Sequence, residues 1–222
     1  MKLILARDVL AANDKIAEQN HALLSSKAVT AINVMSSPGA GKTTLIAETI
    51  RSLKQDLNIA VIEGDIQSTY DAEQISATGA QVVQINTGGA CHLDAGMINE
   101  SLGHIDLDAV DLLIIENVGN LVCPAGFNLG EGYKVMLLSV TEGDDKPVKY
   151  PMMFHESSAL LINKIDLLPY IECSVEKIRT EALKIKPDLG IFEVSAKTGK
   201  GLDDWYRWLK KMVRRNGTQD EN

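Results

Sequence analysis

The sequence predicts an α/β fold, a mostly parallel central sheet flanked by helices. Three observations carry that reading. Short apolar runs recur along the chain, and several are continuous rather than alternating, as strands covered on both faces must be. Amphipathic helical stretches lie between most of them, which gives a βα rhythm. The first apolar run also leads through a glycine-bearing loop directly into a helical pattern, a strand–loop–helix unit with chemistry built in.

Taken in order, residues 5–27 are polar with apolar positions at Val9, Leu10, Ile16, Ala17, Leu23 and Leu24. That spacing predicts an amphipathic helix lying outside the main sheet, packed on the domain or offered to a partner. From there the expected strands are 31–35, 59–63, 81–85, 111–116, 133–140, 159–163 and 191–194. The expected helices are 42–55, 69–78, 93–102, 174–185 and 202–214. Residues 1–215 then make a single domain with the 5–27 helix as an extension, and the polar, acidic stretch 216–222 reads as a frayed tail. In such sheets ligands bind at the carboxyl ends of the strands, so motifs that follow strands should converge on one edge.

Composition narrows the function. A length of 222 residues suits one sizeable α/β domain. The net charge of −8 argues against nucleic acid as a partner. No apolar run approaches the roughly 20 residues a membrane span needs. Charges at Lys2, Arg7 and Asp8 interrupt the start too early for a secretory signal. Three cysteines, an odd number, fit cytosolic thiols or metal ligands better than a disulfide framework. The expected location is the cytoplasm.

Ser36-Ser37-Pro38-Gly39-Ala40-Gly41-Lys42-Thr43-Thr44 is the loop around which the rest is organised. It reads as the phosphate-binding loop of a P-loop NTPase. Gly39 and Gly41 let backbone N–H groups of the loop, with those of Ser37 and Ala40, approach a phosphate without a side chain in the way. The helix that starts here points its partial positive end at the same place. Lys42 supplies a full charge for the β- and γ-phosphates, and Thr43 a hydroxyl for Mg2+, with Thr44 following. Ser36 stands where the pattern has its first glycine, a position a small residue can fill.

Two later motifs select the nucleotide. Asn163-Lys164-Ile165-Asp166 comes about 120 residues after the loop, and Ser195-Ala196-Lys197 about 30 further on. The Asp166 carboxylate can accept two N–H bonds from guanine that adenine cannot offer. Lys164 can lay its aliphatic stem on the base plane. Asn163 can tie loops together, and the Ala196 N–H can reach the guanine O6. Either motif alone is weak; in this order they point to GTP and GDP.

The strand 111–116 ends in Glu116-Asn117-Val118-Gly119. A strand-end carboxylate here holds Mg2+, and Gly119 is placed to sense the γ-phosphate. Asp65 and Asp71 are the candidates for a second Mg2+ contact or for orienting the attacking water, with no basis for ranking them. Asn120, not glutamine, follows Gly119, so the usual water-orienting group is absent and intrinsic hydrolysis should be slow. Cys91-His92 and Cys123-Pro124 also follow strands. Two thiolates and one imidazole suit Zn2+ or Ni2+, one ligand short of a closed tetrahedral shell that a second copy of the chain or water could complete. Cys173 reads as a small buried hydrophobe, and His21, His104 and His155 carry no assigned role.

The stretches SSPGAGKTT, EGDI, NTGGACHLDA, IIENVGNLVCPA, LLSVTEGDDKPVKYP and LLINKIDLLP resemble the HypB family, GTPases that help insert nickel into [NiFe] hydrogenases. The similarity runs from about residue 5 to 210. It implies a SIMIBI-type GTPase, a homodimer, and a metal site at the dimer interface built from Cys91, His92 and Cys123. It also implies that Lys149, or else Lys146, reaches the partner's nucleotide, and that a nickel-binding HypA-like protein and the hydrogenase large subunit are partners. Some family members bear an N-terminal cysteine motif or a histidine-rich tract. No Cys or His precedes His21 here, so the expected metal site is the one near the switch. The competing readings are a nickel-delivery GTPase for another enzyme such as urease, a nucleotide-regulated interaction module with incidental turnover, and a small-molecule kinase, which NKID with SAK disfavours.

Overall fold

The computed structural model describes residues 6–65 and 69–217, with side chains for 10–65 and 69–214. In chain order the main elements are α1 (Ala6–Ser26), β1 (Thr30–Ser36), α2 (Lys42–Leu53), β2 (Ile59–Asp65), α3 (Tyr70–Ser76), β3 (Gln81–Asn86), α4 (Ala95–Leu102) and β4 (Leu112–Glu116). There follow β5 (Tyr133–Ser139), α5 (Lys146–Lys149), α6 (Pro151–Glu156), β6 (Ala159–Asn163), α7 (Val175–Ile185), β7 (Gly190–Glu193) and α8 (Leu202–Gly217). Every expected strand and helix is present, with ends shifted by a few residues. Residues 218–222 of the expected tail lie outside the described residues, while 216 and 217 extend α8.

All seven strands are parallel, in the order β3-β2-β4-β1-β5-β6-β7. The strands after β1 in sequence lie on one side of it up to β4 and on the other from β5 onward. The loop leaving β1 therefore opens at the point where the sheet changes direction, the usual place for a ligand crevice.

Each central strand is buried on both faces, and its residues divide between two cores. Ile32 and Val34 of β1 point to the face covered by α2 and α8, where Ile46, Ile50, Trp205 and Leu209 pack. Ala31 joins the opposite core with Leu24 of α1 and Ile98 of α4. Met35 meets α6 and α7 on that same side through Phe154 and Ile178. This two-sided burial is why the strands read as continuous apolar runs.

The α1 helix lies off the sheet and is tied down by asparagines. Asn20 is fully buried; its Nδ2 donates to the carbonyls of Ala95 and Leu129, each at 2.9 Å. Asn13 Oδ1 accepts from the Ala95 N–H at 2.8 Å, and its Nδ2 donates to Asn128 O at 2.8 Å. The stretch that carries Lys146 and Lys149 forms α5 and leads into α6. Pro147 and Pro151 sit in their first turns, where a missing N–H costs nothing. Among the described residues no helix is long and apolar enough to cross a membrane.

Candidate functional site

The Ser36–Lys42 loop turns through two glycines with positive φ, Gly39 at 73° and Gly41 at 100°. At Gly41 the backbone conformation and the space both require glycine, since a Cβ would lie 2.8 Å from Asn163 Nδ2. Ser36, the departure from the expected glycine, is fully buried, and its Oγ accepts from Lys42 Nζ at 3.1 Å. Burial lowers the Lys42 pKa, opposed by the nearby carboxylates Glu116, Asp71, Glu63 and Glu142. Ser37 keeps a buried hydroxyl with no partner, and Thr44 faces outward at the start of α2.

A cavity of about 210 Å3 opens above this loop. Lys42, Asp65, Asp71, Glu116 and Gly119 all line it, so both candidate aspartates reach the phosphate end. Gly119 packs so closely on the loop that a Cβ would sit 2.8 Å from Pro38 N. Thr43 Oγ1 donates to Glu116 Oε1 at 2.8 Å. Glu116 is 3% exposed and its other oxygen, Oε2, is buried without a partner. Desolvation pushes this carboxyl up to about 7 against the pull of Lys42 and Thr43. A buried orphan oxygen beside a hydroxyl and two more carboxylates is a hard donor set, and it fits Mg2+.

Glu63 was missed as a site residue. It lies in register with Glu116 on the neighbouring strand, lines the same cavity and also has a buried, unpartnered Oε2. Burial, reinforced by Glu116, raises it to about 8. The signal was present in the sequence: an acid closing the apolar run Ile59-Ala60-Val61-Ile62, as Glu116 closes its own.

A second cavity, about 170 Å3, is lined by Gly41, Thr44, Lys164, Asp166, Ala196 and Lys197 among others. Asn163 is its keystone. Its Nδ2 donates to Ala40 O at 2.9 Å and its Oδ1 accepts from the Ala196 N–H at 3.0 Å. That N–H was expected to face the guanine O6; Asn163 already holds it, because β6 and the loop after β7 come together here. Lys164 adopts a left-handed backbone at φ 63° and sends its ammonium to Gly39 O, 2.6 Å away. Ser195 Oγ donates to Asp166 Oδ1 at 2.6 Å, which fixes that carboxylate at the cavity wall.

The loops after β3 and β4 bring Cys91, His92 and Cys123 together, with their ligand atoms all within 4.8 Å of one another. Cys91 Sγ lies 3.5 Å from His92 Nδ1. The Phe127 ring covers the imidazole, with ring centroids 3.9 Å apart. Partial burial lowers the His92 pKa, opposed by Asp94, a shift toward the neutral ring that a metal ligand must present. Cys173 sits instead against the α6–α7 core, where burial raises its thiol, in keeping with a small hydrophobe. Lys149 pairs with Asp145 of its own helix turn at 2.5 Å, and Lys146 donates to Glu142 O at 2.7 Å.

Residues 30–193 match the family model for the CobW/HypB/UreG nucleotide-binding domain. The chain is 51% identical over 203 residues to the hydrogenase maturation factor HypB of Escherichia coli (strain K12), across 91% of this chain and 70% of that one. It is 41% identical over 217 residues to the hydrogenase/urease maturation factor HypB of Helicobacter pylori (strain J99), across 96% and 88%. Among solved structures it is similar to HypB from Helicobacter pylori in complex with nickel, with a TM-score of 0.88 at 39% identity over 95% of this chain and 99% of that one. A match over most of the chain reaches well beyond a shared phosphate loop: the chain belongs to the HypB branch of the CobW/HypB/UreG family, with the fold of a SIMIBI-type P-loop GTPase.

Proposed function

We propose that this protein is a cytoplasmic, GTP-hydrolysing metallochaperone that handles nickel during [NiFe] hydrogenase maturation, and that nucleotide state, dimerisation and metal binding are coupled in it. The observation that carries the reading is the Cys91–His92–Cys123 cluster, whose Cys123 loop continues the 116–119 wall of the phosphate cavity. Membership of the HypB branch supplies the biological setting.

The chemistry follows from the residues. Lys42 and the loop N–H groups grip the β- and γ-phosphates, and Asp166 selects guanine. Thr43, Glu116, Asp65 and Asp71 would hold Mg2+, which when bound neutralises charge on the phosphate oxygens. Asp65 or Asp71 orients the attacking water. With Asn120 rather than glutamine after Gly119, turnover is slow until a partner contributes. Nickel is cargo, with Zn2+ able to occupy the same sulfur–nitrogen site. Three ligands leave a tetrahedral shell one short, and a donor from a second copy of the chain, or water, completes it. Lys149, exposed on α5, is the group that would cross to the partner's nucleotide; a HypA-like nickel protein and the hydrogenase large subunit are the expected partners.

The test measures nickel affinity and dimer fraction with GDP and with a non-hydrolysable GTP analogue. Different values for the two nucleotides are expected; identical values would remove the coupling. A second reading, delivery to urease as well, is favoured by the dual name of the Helicobacter pylori relative. Loss of urease activation together with hydrogenase maturation in a strain lacking the protein would select it.

A further inference from the structure

The position after Gly119, which carries a water-orienting glutamine in the usual pattern, holds a side chain engaged elsewhere. Asn120 Oδ1 accepts from the Val122 N–H at 2.8 Å and from the Cys123 N–H at 3.4 Å, forming the turn that presents Cys123. Its Nδ2 donates to the Cys91 carbonyl at 3.3 Å. One carboxamide therefore holds both thiol-bearing turns. The backbone of the same residue is fastened to the phosphate loop: Asn120 N–H donates to Ser36 O at 2.7 Å. Ser36 is the residue whose hydroxyl takes the Lys42 ammonium, and Gly119 next door rests on Pro38.

A second tie runs beside the first. Asn117 Oδ1 accepts from Leu93 N–H at 3.1 Å, immediately after His92, and its Nδ2 donates to Asn33 Oδ1 on β1 at 3.1 Å. The two ends of the Asn117–Asn120 segment thus bracket the Cys91–Leu93 loop. Asn117 is anchored in the sheet, where its N–H meets Val34 O at 3.0 Å. Asn120 sits at the outer end, next to the glycine that faces the γ-phosphate position.

We infer that Asn120 is the positioning residue through which the phosphate loop and the metal loops sense each other. It rests on the metal-binding reading above and adds the part that transmits the signal. A shift of Gly119 toward a γ-phosphate drags the Asn120 backbone. Its carboxamide then pulls on the Cys123 turn and on the Cys91 carbonyl, while Asn117 holds the Leu93 end of the second loop to the sheet, so the spacing of the two sulfurs changes. Linkage requires the converse: a cation that fixes the sulfurs biases Gly119, and with it the preference for GTP over GDP. The same geometry accounts for the lack of a water-orienting side chain here, since the carboxamide points to the metal loops.

The experiment uses the full chain and Ni2+, followed by the thiolate-to-nickel charge-transfer absorption, with GDP and with a non-hydrolysable GTP analogue. Two variants separate the arms. Asn120→Asp keeps the acceptor for Val122 and Cys123 but turns a carboxylate, with no donor, toward the Cys91 carbonyl. Asn120→Ala removes both arms. The unaltered protein should show an affinity ratio between the two nucleotides within the range of about 5- to 150-fold typical of allosteric coupling. In both variants that ratio should fall to within about twofold of one, while GDP affinity stays within about threefold and the charge-transfer band persists. A variant that keeps the full ratio overturns the inference. If the unaltered protein itself shows no ratio, the coupled-function reading fails first and this inference with it.

Discussion

Thr43 and Glu116 are joined by a 2.8 Å hydrogen bond between a phosphate-loop hydroxyl and the carboxyl that ends β4. The bond occupies one oxygen of Glu116 and leaves the other buried with no partner, so the pair is half-satisfied as it stands. A divalent cation seated between them would engage both groups.

The first expected outcome concerns that cation. The Glu116 pKa, raised by burial to about 7, means that the carboxyl must give up a proton to bind Mg2+ at or below neutral pH. Mg2+ affinity in the nucleotide complex should therefore rise with pH between 6 and 7, by up to about tenfold per unit, and level off above. Glu116→Gln should abolish the slope and weaken Mg2+ by roughly tenfold or more, with nucleotide affinity in EDTA little changed. Titration of Mg2+ against a fluorescent guanine nucleotide at several pH values checks both.

Asp166 offers a test of base selection. Its carboxylate is held by Ser195 Oγ at 2.6 Å and faces the second cavity. Asp166→Asn replaces an acceptor with a donor, losing two charge-assisted bonds to guanine at about 1.5 to 3 kcal/mol each. GTP affinity should fall by at least about 100-fold. Xanthosine triphosphate, which carries a carbonyl where guanine has its amine, should gain relative to GTP. Competition between the two nucleotides on the variant measures the switch directly.

For the metal cluster the expectation separates the three cysteines. Cys91→Ser and Cys123→Ser should each weaken Ni2+ and Zn2+ by about 100-fold or more, and Cys173→Ser should leave both unchanged. Phe127→Ala removes the ring tilted against His92 and should cost about tenfold, the scale of groups that orient a ligand. Competition with a chromophoric chelator gives all four values. Equal metal loss in the Cys173 variant would reassign the site.

The sheet was legible because its strands are buried on both faces, and continuous apolar runs such as 112–115 have few other uses in a chain of this charge. The phosphate loop and the base motif were legible because each needs fixed residue types at short spacing. What escaped reading depends on distant parts of the chain. Glu63 became a site residue only when β2 paired with β4 and set it beside Glu116. The Asn163–Ala196 bond required β6 and the loop after β7 to meet. The role of Ser36 as the acceptor for Lys42 could not be inferred from a motif that expects glycine. The cysteine cluster lay between these cases: the donors were visible, but only the shared sheet edge brings residues 91 and 123 within reach.

Glu63 also makes the nucleotide-free protein sensitive to pH. Its folded pKa, near 8, stands above its ordinary value of 4.5 because the carboxyl is buried beside Glu116, with Lys42 only partly offsetting the cost. Below pH 4.5 both folded and unfolded chains carry the proton, and the group makes no difference. Between about 4.5 and 8 the unfolded chain releases the proton and the folded chain keeps it, so each step upward favours unfolding; above 8 the loss is complete. Water in the adjoining cavity screens part of this, leaving an expected penalty of about 1 to 2 kcal/mol at pH 8. Glu63→Gln, neutral at every pH, should remove it: without nucleotide or Mg2+, the variant should melt roughly 2 to 8 °C higher than the unaltered protein at pH 8. At pH 5 the difference should be much smaller. Thermal unfolding at the two pH values, with metal chelated, distinguishes this from a uniform packing effect, which would shift both melting points alike.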